Sequence, residues 1–234
     1  MTSDRRGYRR DSGIHPANAC VSYVSTHKRA PAQAPIRIDH TLSEITGPRF
    51  DPKTLRPGDD DMTRFDGGDA IGERIIVAGR VIDEDDRPVA HTMIELWQAN
   101  AAGRYAHPDD RHEAPLDPHF SGIGRVFTDA HGAYRFTTIK PGAYPWRNHH
   151  NAWRPQHIHF SVFGAGFAAR LVTQMYFPGD PLLALDPIFN SVSDAGARER
   201  LIASFDLETT LPDRSLGYRF DIVLRGRDST PMEP

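Results

Sequence analysis

A succession of short, strand-like runs after residue 73 restricts the fold of this chain more than any other feature. The runs "ERIIVAGRVI", "TMIELWQA", "RVFT", "YRFTTI", "HIHFSVF", "LVTQMYF" and "YRFDIVLRG" are rich in β-branched and aromatic residues, and turn residues such as "DEDDRP" and "DAHG" separate them. Helical segments do not alternate with these runs, which argues against a parallel sheet. We therefore predict an all-β fold, an antiparallel β-sandwich with about six or seven main strands.

One segment has a convincing helical pattern. The run "DAGARERLIASF", residues 194–205, places Leu201, Ile202 and Phe205 at helical spacing, and Ser193 precedes it as an N-cap residue. We predict a single short helix there.

The first 70 residues differ in composition from the rest. They carry prolines at 16, 31, 35, 48, 52 and 57 and the charged run "GDDDMTRFDGGD", without a sustained helical or strand period. We predict an extended N-terminal arm over residues 1–70 that contacts a partner and forms an edge of the pocket. Residues 71–234 are then expected to form the sandwich.

Charge and composition exclude several classes of function. A net charge of -3 and a pI near 6.4 give no electrostatic reason to expect a nucleic-acid partner. Apolar runs such as Ile75–Ala78 are too short to cross a bilayer, and Met1–Arg10 does not resemble a signal peptide, so we expect a cytoplasmic protein. The single cysteine, Cys20, excludes an internal disulfide and a thiolate cluster, so other side chains must hold any metal.

Two histidines lie one residue apart in the strand-like segment "WRPQHIHF". Side chains alternate along a strand, so His157, His159 and Ser161 share one face, and the opposite face carries the apolar residues Ile158, Phe160 and Val162. The histidine Cα atoms would lie about 7 Å apart, and two imidazoles can close that distance onto one metal at about 2.1 Å. The motif alone is equally compatible with a polar strand edge that faces solvent.

Two tyrosines fall at the ends of predicted strands. Tyr105 follows "TMIELWQA", and Tyr144 precedes Pro145 in a predicted loop after "YRFTTI". Functional groups on β scaffolds often lie at such positions. Taken separately, each tyrosine also fits a half-buried packing residue with a hydrogen-bonded hydroxyl.

The segments "IVAGRVIDEDDRPVAHTMIELWQANAAGRY", "GRVFTDAHGAYRFTTIKPGAYPWR" and "WRPQHIHFSVFG" resemble the intradiol ring-cleaving dioxygenases. The resemblance covers nearly all of the chain, from "HPANACVSY" to "YRFDIVLRG". Asp86 stands where the family pattern usually has a glycine, which leaves the geometry of that turn open. The resemblance implies ring cleavage of a catechol-type substrate by O2, with protocatechuate as the expected substrate.

The same resemblance implies a non-haem Fe(III) centre with Tyr105, Tyr144, His157 and His159 as ligands, Tyr144 and His159 being axial. This ligand set has a physical logic. A free phenol has a pKa near 10 and binds as phenolate when a strongly charged cation stabilises the anion. Hard anionic oxygen favours ferric over ferrous iron.

The resemblance also assigns roles to neighbouring residues. Arg154, whose backbone Pro155 restricts, would stabilise the electron-rich ring, Gln174 would hold Arg154, and Tyr144 would accept a substrate proton. Five residues would line the substrate pocket: Tyr23, Trp97, Trp146, Arg147 and Ile188. For Trp97 and Trp146, simple core packing stays open as an alternative.

A homologous alpha subunit is the partner that the resemblance implies. A catechol or hydroxyquinol 1,2-dioxygenase is an alternative with the same ligands, but such relatives usually carry an N-terminal helical domain where this chain has a proline-broken arm. A more remote alternative is a non-catalytic, transthyretin-like binding module, because "TDAHGAYRFTTIKPGAY" resembles its strand-turn-strand repeat.

Overall fold

The computed structural model describes residues 13–28, 30–33, 36, 50–148, 150–163 and 170–233. Within these residues the chain forms strands β1 to β13, one α-helix and four short 3-10 helices. The strands are β1 Arg64–Phe65, β2 Gly68–Asp69, β3 Arg74–Ile82, β4 Met93–Trp97, β5 Ile123–Phe127, β6 Ala133–Ile139, β7 Tyr144–Trp146, β8 Ala152–Arg154, β9 His157–Phe163, β10 Arg170–Tyr176, β11 Ser204–Phe205, β12 Leu216–Arg219 and β13 Ile222–Val223. Helix α1 spans Ala195–Glu199, and the 3-10 helices span Val24–Lys28, Pro52–Thr54, Leu183–Leu185 and Phe189–Ser191.

Two main sheets form the fold. The first has the order β10-β9-β4-β5, with antiparallel neighbours throughout. The second contains β11, β12, β3, β13 and β6, and in it β12 and β13 run parallel to β3. The predicted all-β architecture is confirmed, but its second sheet is mixed rather than purely antiparallel. Alternation of apolar residues indicates which face a side chain occupies and carries no information about the direction of the neighbouring strand.

The main core lies between the apolar faces of the two sheets. Ile75 and Val77 of β3 pack in one cluster with Ile158, Phe160 and Val162 of β9. All five are fully buried, as the alternation of β9 predicts. Because burial of each such side chain is worth about 1.5–3 kcal/mol, this face fixes the register of β9 and therefore the direction of its two histidines.

The predicted helix over residues 194–205 is wrong in length and in its cap. Helix α1 ends at Glu199, and its N-cap is Asp194, whose Oδ1 accepts a hydrogen bond from the Ala197 N–H at 2.6 Å. The segment after α1 pairs instead with the end of β10, because Tyr176 N–H donates to the Leu201 carbonyl and the Ala203 N–H donates to the Tyr176 carbonyl. Strand pairing therefore replaces the last helical turns, and Phe205 lies exposed in β11.

The turn after β3 explains how aspartate replaces the usual glycine. Asp86 has a φ of 60°, in the left-handed region that glycine adopts most easily. Aspartate is among the residues that tolerate this conformation. Asp83 Oδ1 stabilises the turn by accepting hydrogen bonds from the Asp85 and Arg87 N–H groups at 2.9 and 3.0 Å.

Parts of the predicted arm contact the sandwich. Met62 and Ala70 belong to the main core, and the Met62 N–H donates to the Thr137 carbonyl at 2.9 Å. Ile14 packs in a second cluster with Tyr176. Residues 1–12, 29, 34–35 and 37–49 of the arm lie outside the described residues, and the domain boundary at residue 70 stays a prediction.

Candidate metal centre

The two histidines of β9 lie on a buried polar face. Strand β9 is paired on both sides, by β10 and β4, so it is a central strand of its sheet. His157 is 2 % exposed, and the two imidazole centroids are 4.8 Å apart. Trp97 of β4 stacks on His159, with the ring centroids 4.7 Å apart and the planes within 8°. The alternative of a solvent-facing strand edge is therefore excluded.

Tyr144 contacts one of these histidines, and Tyr105 contacts Tyr144. The Tyr105 and Tyr144 rings are 5.4 Å apart, and the Tyr144 hydroxyl is 3.3 Å from His157 Nε2. Tyr105 lies in the loop after β4, as expected. Tyr144 lies in β7 rather than in a loop, because β7 pairs with β8 and aligns Tyr144 opposite Arg154. This pairing brings a third site residue beside the tyrosine.

Two glycines let the tyrosine loops approach each other. A Cβ on Gly103, which has a φ of +79°, would overlap the Ala143 carbonyl. A Cβ on Gly142 would overlap the Ala101 carbonyl, and the Gly142 N–H donates to the Asn100 carbonyl at 2.9 Å. Close backbone contact at these positions requires glycine. The two glycines thus bring the loop that carries Tyr105 next to the segment that leads into β7 and Tyr144.

Hydrogen bonds fix the tautomer of each histidine. His157 Nδ1 lies 2.7 Å from the Pro155 carbonyl, and His159 Nδ1 lies 3.1 Å from Glu233 Oε2. Both partners are acceptors, so each Nδ1 carries the proton. Each Nε2 therefore keeps its lone pair for a metal, which is the usual arrangement of ligating histidines.

In the absence of a cation, burial keeps the two histidines and the two tyrosines of the site neutral. Burial, together with Arg154 and His159, lowers the pKa of His157, and burial lowers the pKa of His159 although Glu233 opposes the shift. Burial raises the pKa of Tyr105 and of Tyr144, with Tyr144 adding to the shift of Tyr105. Neutral imidazoles are ready to bind a metal, whereas the phenols ionise when a strongly charged cation is near.

One buried atom supports this ligand set directly. The Tyr105 hydroxyl is buried and makes no hydrogen bond of normal geometry within the described residues, although Tyr144 is close enough to shift its pKa; buried polar groups normally have a partner. Within the described part of the chain, no group of three or more His, Cys, Asp and Glu side chains converges to hold a metal. Two phenols with two imidazoles, by contrast, form a compact donor set that suits a trivalent ion. The residues present therefore fit ferric iron.

Arg154 lies beside this donor set and is almost fully buried. Its Nε and Nη2 donate to Asp186 Oδ1 and Oδ2, both at 3.1 Å, and Nη2 also donates to Gln174 Oε1. The guanidinium Cζ lies 5.4 Å from the centre of the Trp146 ring. Burial opposes its charge, but Tyr176, Tyr144 and Asp186 raise the pKa of Arg154 above its ordinary value. The cation is thus permanent and held rigidly.

Comparison with known protein families agrees with this geometry. Residues 45–226 match the family described as "Dioxygenase", and residues 8–41 match the one described as "Protocatechuate 3,4-dioxygenase beta subunit N terminal". The chain belongs to the intradiol dioxygenase family. This family uses non-haem iron.

Relatives of this dioxygenase include both chains of one enzyme. The "Protocatechuate 3,4-dioxygenase beta chain" of Burkholderia cepacia is 58% identical over 226 residues, which cover 96% of each chain. The "Protocatechuate 3,4-dioxygenase alpha chain" of the same organism is 33% identical, over 69% of this chain and 77% of the relative. The "Hydroxyquinol 1,2-dioxygenase" of Rhizobium sp. (strain MTP-10005) is 33% identical, and the match spans 51% of that relative.

A solved structure supports the fold of the dioxygenase. The 3-chlorocatechol 1,2-dioxygenase of Rhodococcus opacus 1CP superposes with a TM-score of 0.54 at 27% identity, over 79% of this chain and 73% of that one.

Among the described residues, no helix has the length and hydropathy needed to span a bilayer.

Three further residues of the predicted pocket lie in different surroundings. Tyr23 is buried, and its ring centroid is 5.0 Å from that of Trp146, so the arm reaches the rim of the site. Ile188 is also buried, and its N–H donates to Asp186 Oδ1 at 3.3 Å. Arg147 is exposed in the turn after β7. The role of each in substrate binding stays a prediction.

Sequence reasoning missed three residues of the dioxygenase site. Asp186 is fully buried and holds Arg154, while the Tyr176 hydroxyl donates to Gln174 Oε1 at 2.8 Å. Glu233 accepts from His159; burial opposes its ionisation, but hydrogen bonds from His159 and Gln174 lower the pKa of Glu233. No local pattern marks Asp186 or Glu233, which lie far along the chain from their partners.

Proposed function

We propose that this chain carries the iron centre of a protocatechuate 3,4-dioxygenase, which cleaves 3,4-dihydroxybenzoate with O2 to 3-carboxy-cis,cis-muconate. The observation that carries the proposal is the convergence of Tyr105, Tyr144, His157 and His159 at the end of one sheet. A relative of that name that matches 96% of the chain supports the substrate.

The four side chains would hold Fe(III), with the two phenols as phenolates and the histidines bound through Nε2. When bound, the ferric ion would withdraw electron density from a chelated catechol and so make its ring reactive toward O2. Chain residues supply the surroundings of that chemistry. Trp97 fixes the plane of His159 by stacking, and the Pro155 carbonyl fixes His157.

Proton transfer falls to Tyr144. Its hydroxyl oxygen lies 3.3 Å from His157 Nε2, where a phenolate oxygen can accept a proton from a substrate hydroxyl. Tyr144 and the substrate hydroxyl would lie in the same buried site, so the proton could pass between them directly. No separate carboxylate is needed for this step.

Arg154 would supply positive charge to the electron-rich ring. Its guanidinium is preorganised by Asp186 and Gln174, so little reorganisation is needed as negative charge develops. Gln174 would act by holding Arg154 rather than by touching substrate. Pocket walls formed by Tyr23, Trp146 and Ile188 suit a flat aromatic acid with one polar end.

A homologous alpha subunit is part of the proposal. The relative that covers nearly the whole chain is named as a beta chain, and an alpha chain is itself a relative. The arm, which reaches the site through Tyr23, is a surface that such a partner would cover. The cytoplasmic location expected from the sequence stays a prediction.

Oxygen uptake tests the proposal. The chain, co-expressed with its alpha partner, should be red-brown from phenolate-to-Fe(III) charge transfer, contain iron, and consume O2 with protocatechuate much faster than with catechol. Fast uptake with catechol or hydroxyquinol and none with protocatechuate would favour the 1,2-dioxygenase alternative. A colourless protein that is fully active would contradict the ligand set, and a protein that binds no iron would favour the binding module.

A further inference from the structure

The last described residues of the chain run beside strand β10. The Thr173 hydroxyl donates to the Pro231 carbonyl at 2.7 Å, and the Glu233 N–H donates to the Val172 carbonyl at 3.0 Å. At the other end of this segment, the Val223 N–H donates to the Thr230 hydroxyl at 3.0 Å. Residues 230–233, here called the C-terminal strap, are therefore fixed to the sheet by their backbone.

The arm fixes the same strap from its other side. The Met232 N–H donates to His15 Nδ1 at 3.2 Å, so the acceptor nitrogen of His15 comes from a segment 217 residues earlier. Ser229 and Thr230 are almost fully buried. Because hydrogen bonds to β10 and to the arm hold the backbone of the strap, they also fix the direction in which the Glu233 side chain points.

The Glu233 carboxylate connects two parts of the iron site. Its Oε2 accepts from His159 Nδ1 at 3.1 Å and from Gln174 Nε2 at 2.8 Å. Because Gln174 donates through Nε2 to Glu233, its Oε1 is left to accept from Arg154. One carboxylate oxygen therefore orients a histidine of the donor set directly and the Arg154 guanidinium through an amide.

We propose that Glu233 is a positioning residue, which the C-terminal strap delivers to hold His159 with Nε2 toward the metal and to align Arg154 through Gln174. The inference rests on the proposed function, since it gives Glu233 a task in that same site. Carboxylates that accept from a ligating histidine fix its ring and raise its basicity, and their loss typically costs about 10- to 100-fold in metal affinity or activity.

Three variants of the full chain, each co-expressed with the alpha partner, test the inference. Glu233→Ala removes the acceptor, Glu233→Gln keeps a neutral oxygen of the same shape, and Glu208→Ala removes an exposed glutamate as the control. Iron content, the rate of iron loss to a competing chelator and the position of the charge-transfer band are measured with a thermal melt of each protein. The band and the rate of iron loss report on the metal environment, independently of turnover.

We expect Glu233→Ala to hold iron about 10- to 100-fold more weakly than the wild type and to show a shifted charge-transfer band. The iron affinity and band position of Glu233→Gln should fall between those of the wild type and those of Glu233→Ala. Glu208→Ala should match the wild type. Wild-type iron loss and an unshifted band in Glu233→Ala would overturn the inference. If Glu233→Ala does not fold, Glu233→Leu, which also removes the acceptor but keeps most of the side-chain volume, replaces it, and wild-type iron loss with an unshifted band in that variant would overturn the inference.

Failure of this inference and failure of the proposed function are distinguishable. A wild-type protein that holds iron but does not consume O2 with protocatechuate would contradict the function and leave the role of Glu233 in holding iron testable by the same chelator experiment. A wild-type protein that is active, paired with a Glu233→Ala variant of unchanged iron affinity and spectrum, would contradict the inference alone.

Discussion

The two faces of strand β9 are both buried, but they are stabilised in different ways. Ile158 and Phe160 on one face pack among apolar side chains of the main core. His157 and His159 on the other face each require a particular acceptor, the Pro155 carbonyl and the Glu233 carboxylate. Loss of an apolar group costs free energy in proportion to the volume removed. Loss of one member of a buried polar set leaves its partner unsatisfied, at a cost that the removed volume does not determine.

The largest effect of any substitution in β9 is expected at a proposed metal ligand on its polar face. His159→Ala removes one of four proposed metal donors, so we expect the purified protein to lose its iron, its colour and its activity together. Metal analysis by mass spectrometry measures the loss. His131→Ala is the matched control, because His131 is exposed and lies in the turn between β5 and β6, which contributes no residue to the donor set. Full iron occupancy in His159→Ala would remove His159 from the ligand set.

A second large effect is expected at the buried ion pair behind the histidines. Asp186→Ala leaves the Arg154 guanidinium buried without its carboxylate, which should lower the free energy of unfolding by about 3–5 kcal/mol. Chemical denaturation measures this change. Asp228→Ala is the control: its side chain is 85% exposed and lies 3.9 Å from Arg200, so a change within about 0.5 kcal/mol is expected. Equal effects of the two substitutions would show that Asp186 does not stabilise Arg154.

The sequence predicted the two faces of β9 unequally well. The run "HIHFSVF" matches β9 residue for residue, because alternation in a strand is a local property. The meeting of Tyr105 and Tyr144 with the histidines was predicted from a family resemblance, since no local pattern brings three separate segments together. Asp186 and Glu233 were missed because their partners, Arg154 and His159, are distant in sequence.

The predicted helix shows the opposite error, in which a local pattern was trusted too far. Residues 200–205 have acceptable helical spacing, but pairing of Leu201 and Ala203 with Tyr176 satisfies the same backbone groups in an extended form. Tertiary context routinely overrides helix propensity in this way. Local patterns therefore predicted the elements, and long-range polar contacts decided the site and several element ends.

Arg154→Ser should separate catalysis from metal binding on the polar face. Asp186 would still accept from the Ile188 and Phe189 N–H groups at 3.3 and 3.4 Å, so part of the local structure remains. We expect iron and colour to be kept while kcat falls by about 10²- to 10³-fold, the usual cost of one electrostatic donor. Steady-state oxygen uptake measures kcat, and Arg154→Lys, which keeps the charge, should recover part of it. An unchanged kcat in Arg154→Ser would exclude Arg154 from the mechanism.

The smallest effect is expected on the apolar face of β9. It tests whether the loss in free energy of unfolding there is proportional to the side-chain volume removed. Ile158→Val removes one methylene from a fully buried side chain and should lower the free energy of unfolding by about 0.5–1.5 kcal/mol. Ile123→Val makes the same chemical change at a side chain that is 64% exposed, so its effect should stay within about 0.5 kcal/mol. Both variants should keep iron and colour, because the Ile158 side chain packs in the main core on the opposite face of β9 and Ile123 is exposed on β5. Loss of iron in Ile158→Val would mean that packing on the apolar face controls the positions of the two histidines. The distinction between the two faces of β9 would then be wrong.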